Sequence, residues 1–246
     1  MSIQKGLVYA IIPARSGSSS VKDKNIRIIS GHPLMAYSII AARLCKNINR
    51  VIMTTDSEKY AKIANKYGAE TPFLRPVEIS GKYSTDLEFV KHAIDWFEKN
   101  EKLLPEYWVH LRPTSPLRTP SEIDRAIDIF KNSKADCLKS VHLTHECPYK
   151  WFNVTEEGYL KTICGISLDE ANGPRQSYPP VFVPNGYVDI VRTEQIIRSG
   201  TLYGNSAVAF ETNEVIDIDY EHELDQLQTL IKTSGGIVSN ELKKFE

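Results

Sequence analysis

The sequence predicts an α/β fold with a mainly parallel sheet. Short apolar runs alternate along the chain with segments whose apolar residues recur at helical spacing. The predicted strands at 7–12 and 50–56, for example, lie on either side of a predicted helix from Pro33 to Leu44. Consecutive units of this kind place their strands in parallel. A second observation is that the strands end in small or polar residues, as expected at the ligand-binding edge of an open sheet.

Local signals mark the individual elements. Pro33 fits a first helical turn, Ser57 is a plausible N-cap, and Gly68 stops the helix that Ser57 begins. The prolines at 113 and 116 keep the loop 112–119 rigid and non-helical. The remaining predicted helices cover 86–99, 120–131, 193–199 and 221–232, and the remaining strands cover 107–111, 136–142, 186–192, 206–211 and 215–219.

Composition limits the class of protein. The 246 residues are 41% hydrophobic, which is enough for one large domain. With 30 Lys and Arg against 31 Asp and Glu, no net field favours nucleic acid or an anionic membrane as a partner. The four cysteines show no C-x-x-C pairing, and no apolar run reaches the length of a membrane span or a signal-peptide core. We therefore expect a soluble cytoplasmic protein with free thiols.

One segment interrupts the alternation. Residues 143–184 are rich in proline, glycine and aromatic residues, and a stretch of this length predicts an excursion that serves as a lid or a subunit contact. The main α/β domain would then comprise residues 1–142 and 185–232. Residues 233–246 are expected to form a flexible tail.

The loop after the first strand, residues 13–25, is the main candidate binding element. Its small residues allow close approach of a ligand to the backbone, while Arg15, Lys22 and Lys24 add positive charge. These features favour a polyanion such as a triphosphate. The loop matches neither the P-loop pattern nor the dinucleotide-binding pattern G-x-G-x-x-G.

Asp217 and Asp219 are the candidate metal ligands. Two residues apart in a segment of β character, their carboxylates would share one face and suit a divalent cation such as Mg²⁺ that also binds phosphate. Two solvated acids at a strand end remain an equal alternative. His110, on a predicted buried strand, is expected to be a hydrogen-bonded core histidine rather than a catalytic one.

Several short motifs occur together in one order: 12–15 with 24–25, 54–57, 74–76, 112–118, 184–186 and 216–219. In this order they resemble the acylneuraminate cytidylyltransferases, and the likeness extends from Leu7 to about Ile231. The resemblance implies a Rossmann-like, three-layer nucleotidyltransferase fold, a homodimer formed through the excursion, and Mg²⁺ as cofactor. The implied reaction joins CTP and a nonulosonic acid into a CMP-sugar and releases pyrophosphate.

The resemblance also implies site residues. Arg15 and Lys24 would hold the triphosphate beside Ser18, and Asp219 would lie near the anomeric hydroxyl; Arg15, Lys24 and Asp219 are the predicted catalytic residues. The other predicted contacts are Arg75, Ser84, Thr85 and Asp86 at the cytidine, Asp217 and Asp219 at the metal, and Arg112, Lys150, Arg175, Gln176 and Asp189 at the sugar acid.

Four positions depart from the family pattern. Ser19 and Ser20 replace the usual Lys-Gly, so we expect Lys22 to supply the missing charge. Arg112 stands where the family commonly has glutamine, and Asp189 where a sialic acid enzyme can have tyrosine. These two positions leave the sugar open between N-acetylneuraminate and a legionaminate-like or otherwise modified nonulosonate. The alternatives are a Kdo cytidylyltransferase, a sugar-phosphate nucleotidyltransferase, and a non-catalytic nucleotide-binding homologue.

Overall fold

A six-stranded sheet forms the centre of the computed structural model, which describes residues 2–17, 21–234 and 236–245. The strands are β1 (Ile3–Pro13), β2 (Ile28–Ile29), β3 (His32–Pro33), β4 (Arg50–Thr54), β5 (Leu104–His110), β6 (Cys137–Leu143), β7 (Phe152–Val154), β8 (Leu160–Thr162), β9 (Phe182–Arg192) and β10 (Ala207–Glu211). The helices are α1 (Leu34–Arg43), α2 (Glu58–Lys66), α3 (Asp86–Asn100), α4 (Pro120–Lys131), α5 (Leu168–Ala171), α6 (Thr193–Ser199), α7 (Glu221–Ser234) and α8 (Ile237–Leu242).

The sheet order is β10-β6-β9-β5-β1-β4. Strand β1 pairs in parallel with β4 and β5, and β6 pairs in parallel with β10. Strand β9 runs antiparallel to both β5 and β6. The prediction of a mainly parallel α/β sheet is therefore confirmed, with one reversed strand near its middle.

Helices cover both faces of the sheet, which makes three layers. Along β1 the side chains alternate between two cores: Val8 and Ala10 pack in the core that includes α1, α4 and α7, whereas Tyr9 and Ile11 pack in the core that includes α3 and α6. Because both faces are buried, β1 shows a continuous apolar run rather than an alternating one. This burial accounts for the pattern that predicted the first strand.

The segment 215–219 differs from its prediction. It lies outside the strands of the sheet, in irregular backbone fixed by a 2.9 Å hydrogen bond from the Ile218 N–H to the carbonyl of Thr114. Ile218 is fully buried, whereas Asp217 and Asp219 on either side of it are exposed. Burial of Ile218 holds the segment against the core, but the backbone of residues 215–219 does not pair with a strand of the described sheet.

The excursion contains the antiparallel hairpin β7–β8 and the short helix α5. Strand β9 begins at Phe182, four residues earlier than expected, and its first residues pair with the end of β6. The assignment of 143–184 as a separate excursion stays a prediction.

The carboxyl-terminal segment contains a further helix. Where we predicted a flexible tail, α8 packs against α1 and buries Val238 and Leu242. These two residues are four apart, so they share one helical face. Among the described residues, no helix combines the length and the apolar character needed to cross a membrane.

Candidate active site

A cleft of about 330 Å³ opens beyond the carboxyl ends of β1 and β5. Its walls are formed by Pro13, Arg15, Lys24, Asn25, Arg75, Ser84, Asp86, Phe89, Arg112, Pro113, Thr114 and Asp219. Four of these side chains are cationic and two are carboxylates. The cationic residues are Arg15, Lys24, Arg75 and Arg112, and the carboxylates belong to Asp86 and Asp219. The excess of positive charge suits an anionic ligand.

A larger groove, of about 990 Å³, lies beside α4. Its charged side chains are balanced, with Lys46 and Arg125 against Asp124 and Asp128. The smaller cleft is the better candidate, because it gathers predicted site residues from distant parts of the chain and carries the excess positive charge.

Asp56, which follows β4, fixes the start of the first loop by hydrogen bonds. The Ser16 N–H donates to Oδ1 of Asp56 at 2.8 Å, and the Ser16 hydroxyl donates to Oδ2 at 2.6 Å. The Asn25 side chain donates to the carbonyl of Arg15 at 3.1 Å. These contacts fix the backbone of Arg15 at the cleft wall, and its guanidinium donates to the carbonyl of Gly81. Asp56 belongs to the motif 54–57, but the motif gave no sign of this function.

Lys24 connects the first loop to the acidic segment. Its Nζ donates to the carbonyl of Ile218 at 2.6 Å and to Oδ1 of Asp219 at 3.2 Å. The lysine is buried, whereas the Asp219 side chain is 63% exposed. Residues 195 positions apart in the chain therefore meet at the cleft.

Asp217 and Asp219 carry hard oxygen donors of the kind that Mg²⁺ prefers, but only Asp219 belongs to the described lining of the cleft. Both are exposed beside the buried Ile218, and Asp219 lines the cleft. No group of three or more metal-ligating side chains occurs in the described part of the chain. A pair of hard oxygen donors is nevertheless sufficient for Mg²⁺, which commonly takes one or two carboxylates together with substrate phosphates.

Arg75 lies at the floor of the cleft. Its Nε donates to the Thr54 hydroxyl at 3.1 Å and its Nη2 to the Thr54 carbonyl at 2.7 Å, while the guanidinium stacks over the ring of Phe89. Burial lowers the pKa of Arg75 to about 10. The side chain therefore remains a fixed cation at neutral pH.

Ser84, Thr85 and Asp86 form the start of α3. The Ser84 hydroxyl accepts a 2.9 Å bond from the Gly81 N–H, and Thr85 caps the helix in a capping box with Glu88. Ser84 and Asp86 line the cleft. The structure thus brings Arg75, Ser84 and Asp86 together as expected and gives Thr85 the position of a helix cap.

Arg112 lies between two carboxylates. Its Nη1 donates to Oδ2 of Asp189 at 3.0 Å, and its Nη2 donates to Oδ2 of Asp86 at 2.7 Å. The two ion pairs raise the pKa of Arg112 above its ordinary value despite burial. Asp189, a predicted sugar contact, is only 2% exposed and does not belong to the described lining of the cleft; it is linked to the cleft through Arg112.

His110 is buried behind these groups, as expected, but the hydrogen bonds that we predicted for it are not seen in the described part of the chain. Its Nδ1 lies 3.7 Å from Oδ2 of Asp86, while its Nε2 has no hydrogen-bond partner among the described residues. Burial and the neighbouring arginines hold the pKa of His110 well below its ordinary value. The ring is therefore neutral at physiological pH.

Arg118 was not predicted as a site residue. It is buried, and it donates to the carbonyls of Ser115, Gly186 and Tyr187 and to the hydroxyl of Ser38. Burial lowers its pKa to about 9. Its contacts join the loop after β5 to β9, which positions Arg112 and Thr114.

The remaining predicted residues lie elsewhere. Lys150 donates to the carbonyl of Gly173 at 2.7 Å, Arg175 donates to the carbonyl of Thr144 at 3.0 Å, and Gln176 is exposed. Lys22 is exposed too. None of these four belongs to the described lining of the cleft. Ser18, Ser19 and Ser20 lie outside the described residues.

Comparison with known proteins identifies related sequences. A family model described as "Cytidylyltransferase" matches residues 9–165. The N-acylneuraminate cytidylyltransferase of Escherichia coli is 31% identical over 89% of the chain, which spans about half the length of that relative. The CMP-N,N'-diacetyllegionaminic acid synthase of Campylobacter jejuni is 30% identical over 89% of the chain and 91% of that protein.

The fold is also shared with solved structures. A CMP:2-keto-3-deoxy-manno-octonic acid synthetase complexed with CTP superimposes with a TM-score of 0.66, covering 93% of this chain and 99% of that one. Its sequence identity is 13%, so this likeness concerns the fold alone. From the family match and the two sequence relatives, the chain belongs to the cytidylyltransferase family.

Proposed function

We propose that this protein transfers CMP from CTP to the anomeric hydroxyl of a nonulosonic acid and releases pyrophosphate. The observation that carries the proposal is the convergence of Arg15, Lys24 and Arg75 with Asp219 at one cleft. The activities named for the two sequence relatives, on acylneuraminate and on a legionaminic acid, support the acceptor class.

The chemistry follows from the charges in the cleft. The anomeric hydroxyl attacks the α-phosphorus in line and gives up its proton to solvent. The bond from that phosphorus to the bridging oxygen breaks, and pyrophosphate leaves with the electron pair. Arg15 and Lys24 stabilise the charge that develops on the phosphate oxygens, and Arg75 orients the nucleotide. Positioning and electrostatics then supply the rate, without a covalent enzyme nucleophile.

Mg²⁺ belongs to the same proposal. Asp217 and Asp219 would hold it, and when bound it would neutralise charge on the phosphates. Lys24 keeps the Asp219 carboxylate at the cleft through its 3.2 Å contact. The exposure of both carboxylates supports this assignment, because they are accessible to a cation that arrives with the nucleotide.

A homodimer would complete the acceptor side. The excursion and the start of β9 expose large apolar side chains, including Trp151, Leu160 and Phe182. An exposed apolar patch of this kind favours a protein contact. Lys150 and Arg175, which lie outside this chain's own cleft, would clamp the sugar carboxylate. The four free cysteines fit the expected cytoplasmic location.

The test is pyrophosphate release with CTP, Mg²⁺ and a panel of keto sugar acids that includes N-acetylneuraminate, a legionaminate and Kdo, with sugar 1-phosphates as controls. We expect release with nonulosonic acids. Release with Kdo or a sugar phosphate alone would support the corresponding alternative. Tight CTP binding with no release across the panel would indicate a non-catalytic homologue.

A further inference from the structure

A polar network of half-buried side chains around the buried Asp189 lies beside the cleft, on the side of Arg112. Its members are Arg112 in the loop after β5, Asp86 at the start of α3, Asp189 on β9, Lys139 on β6 and Tyr203 after α6. Arg112 and Asp86 line the cleft, whereas the other three are not among its lining residues in the described chain.

Asp189 is the centre of this network. Its Oδ2 accepts from Nη1 of Arg112 at 3.0 Å and from the Tyr203 hydroxyl at 3.1 Å, and it lies 3.6 Å from Nζ of Lys139. Lys139 also sits 3.7 Å from the centre of the Tyr203 ring. A carboxylate this deeply buried requires such partners, because burying an unpaired charge is costly. Its position is therefore fixed on three sides.

Arg112 is fixed in turn. Its Nη1 donates to Asp189 and its Nη2 donates to Asp86, and the Tyr203 hydroxyl lies 3.5 Å from Nη2. A free arginine side chain loses substantial rotamer entropy when it binds a ligand, and prior ordering removes that loss. The three contacts use at most three of its five N–H donors, so donors remain for a ligand in the cleft.

The charges of the network cancel. Arg112 and Lys139 contribute two positive charges, Asp86 and Asp189 contribute two negative charges, and His110 is neutral. A neutral network attracts a carboxylate weakly, but it presents oriented N–H donors. On the other side of the cleft, Arg15, Lys24 and Arg75 contribute three positive charges, and Asp219 is the carboxylate of that part of the described lining; Asp56 and Asp86 also lie close enough to Arg75 to interact with its charge.

We propose that Asp189, Tyr203 and Lys139 are positioning residues that hold Arg112 as a specificity-determining donor to an uncharged oxygen of the acceptor, a hydroxyl or an acyl carbonyl. This inference rests on the proposed function and deepens it. Arg112 contacts the acceptor, and the other three act through Arg112. The acceptor's carboxylate is bound elsewhere.

The first test separates positioning from general damage to the fold. Tyr203→Phe removes one hydroxyl behind the cleft, and Tyr107→Phe is the matched control, because its hydroxyl contacts Arg192 and Glu106 away from the cleft. We expect Tyr203→Phe to raise the KM for the acceptor roughly threefold to tenfold, as loss of a hydrogen bond to a charged group predicts, with the KM for CTP within about twofold. Asp189→Asn should act in the same direction and more strongly.

The second test identifies the acceptor group. The kcat/KM values of wild type and Arg112→Gln are compared with acceptors that each lack one hydroxyl or acyl group. At one acceptor position the two losses should be non-additive, because they remove the two halves of one contact. The wild type should lose roughly tenfold with that acceptor.

The outcomes are distinct. An active wild type whose acceptor KM is unchanged in Tyr203→Phe and Asp189→Asn overturns the positioning network. Additive losses at every acceptor position overturn the role of Arg112 as a donor. A wild type that turns over no keto sugar acid refutes the proposed function and this inference with it.

Discussion

Lys24 is the residue whose replacement tests the geometry of the cleft most sharply. Its ammonium group is buried, and it joins the first loop to the segment 217–219 by two hydrogen bonds, to the Ile218 carbonyl and to Asp219. Lys24→Met keeps the length and apolar stem of the side chain but removes the charge. The variant therefore loses both a phosphate-binding cation and the link that holds Asp219 at the cleft.

The magnitude follows from these two functions. Removing one preorganised donor from a site of developing charge typically lowers kcat by about 10²- to 10³-fold. The buried Ile218 carbonyl also loses its lysine donor, which costs about 1–3 kcal/mol of the free energy of unfolding. We expect kcat to fall by at least about a hundredfold in a protein that still folds.

The assay is steady-state pyrophosphate release, with urea unfolding measured on the same samples. Lys59→Met is a matched control, because Lys59 is an exposed lysine on α2 outside the cleft lining. A folded Lys24→Met protein with kcat within threefold of the wild type would refute the account of the cleft. An equal loss in Lys59→Met would show that the effect is not specific to the site.

Three further predictions concern other parts of the molecule. Asp217→Asn and Asp219→Asn should each abolish Mg²⁺-dependent pyrophosphate release, measured by titrating Mg²⁺; near-normal turnover in both would remove the metal assignment. His110 stays neutral in the folded state, whereas in the unfolded state its imidazole takes up a proton below about pH 6.5. The free energy of unfolding should therefore fall by up to about 1.4 kcal/mol for each pH unit below that value. Urea midpoints at pH 7 and pH 5 should show this slope reduced in His110→Gln, and an identical slope would contradict the assignment. Arg118→Met should lower the free energy of unfolding by about 3 kcal/mol, since buried carbonyls lose their donor, whereas the exposed Arg198→Met should cost under about 1 kcal/mol.

Most of the fold was predictable because burial leaves a local pattern in the sequence. The apolar run of β1 and the helical spacing of α3 reflect contacts on both faces of the sheet. The reversed direction of β9 left no such pattern, since a central strand buried on both faces looks the same whichever way it runs. The irregular segment 215–219 was similarly ambiguous, because a single buried residue between two exposed ones also fits a strand.

The candidate site was predictable where the charge of a side chain in a local motif already indicates its function. Arg15, Lys24 and Asp219 reach the cleft as expected. Asp56, Tyr203 and the buried Arg118 were missed, because their importance lies in partners that are distant in the sequence, such as Ser16 for Asp56 and Asp189 for Tyr203. Pairings of that kind depend on the three-dimensional arrangement, which residue spacing does not encode.

The central claim is that the acceptor's own anomeric oxygen becomes the bridge to the α-phosphorus of CTP. The direct measurement uses an acceptor freshly labelled with ¹⁸O at the anomeric hydroxyl, incubated with CTP and Mg²⁺ and analysed by mass spectrometry. The account predicts a CMP-sugar that carries ¹⁸O in the linkage, together with unlabelled pyrophosphate. A product without the label in its linkage, or labelled pyrophosphate, would contradict it.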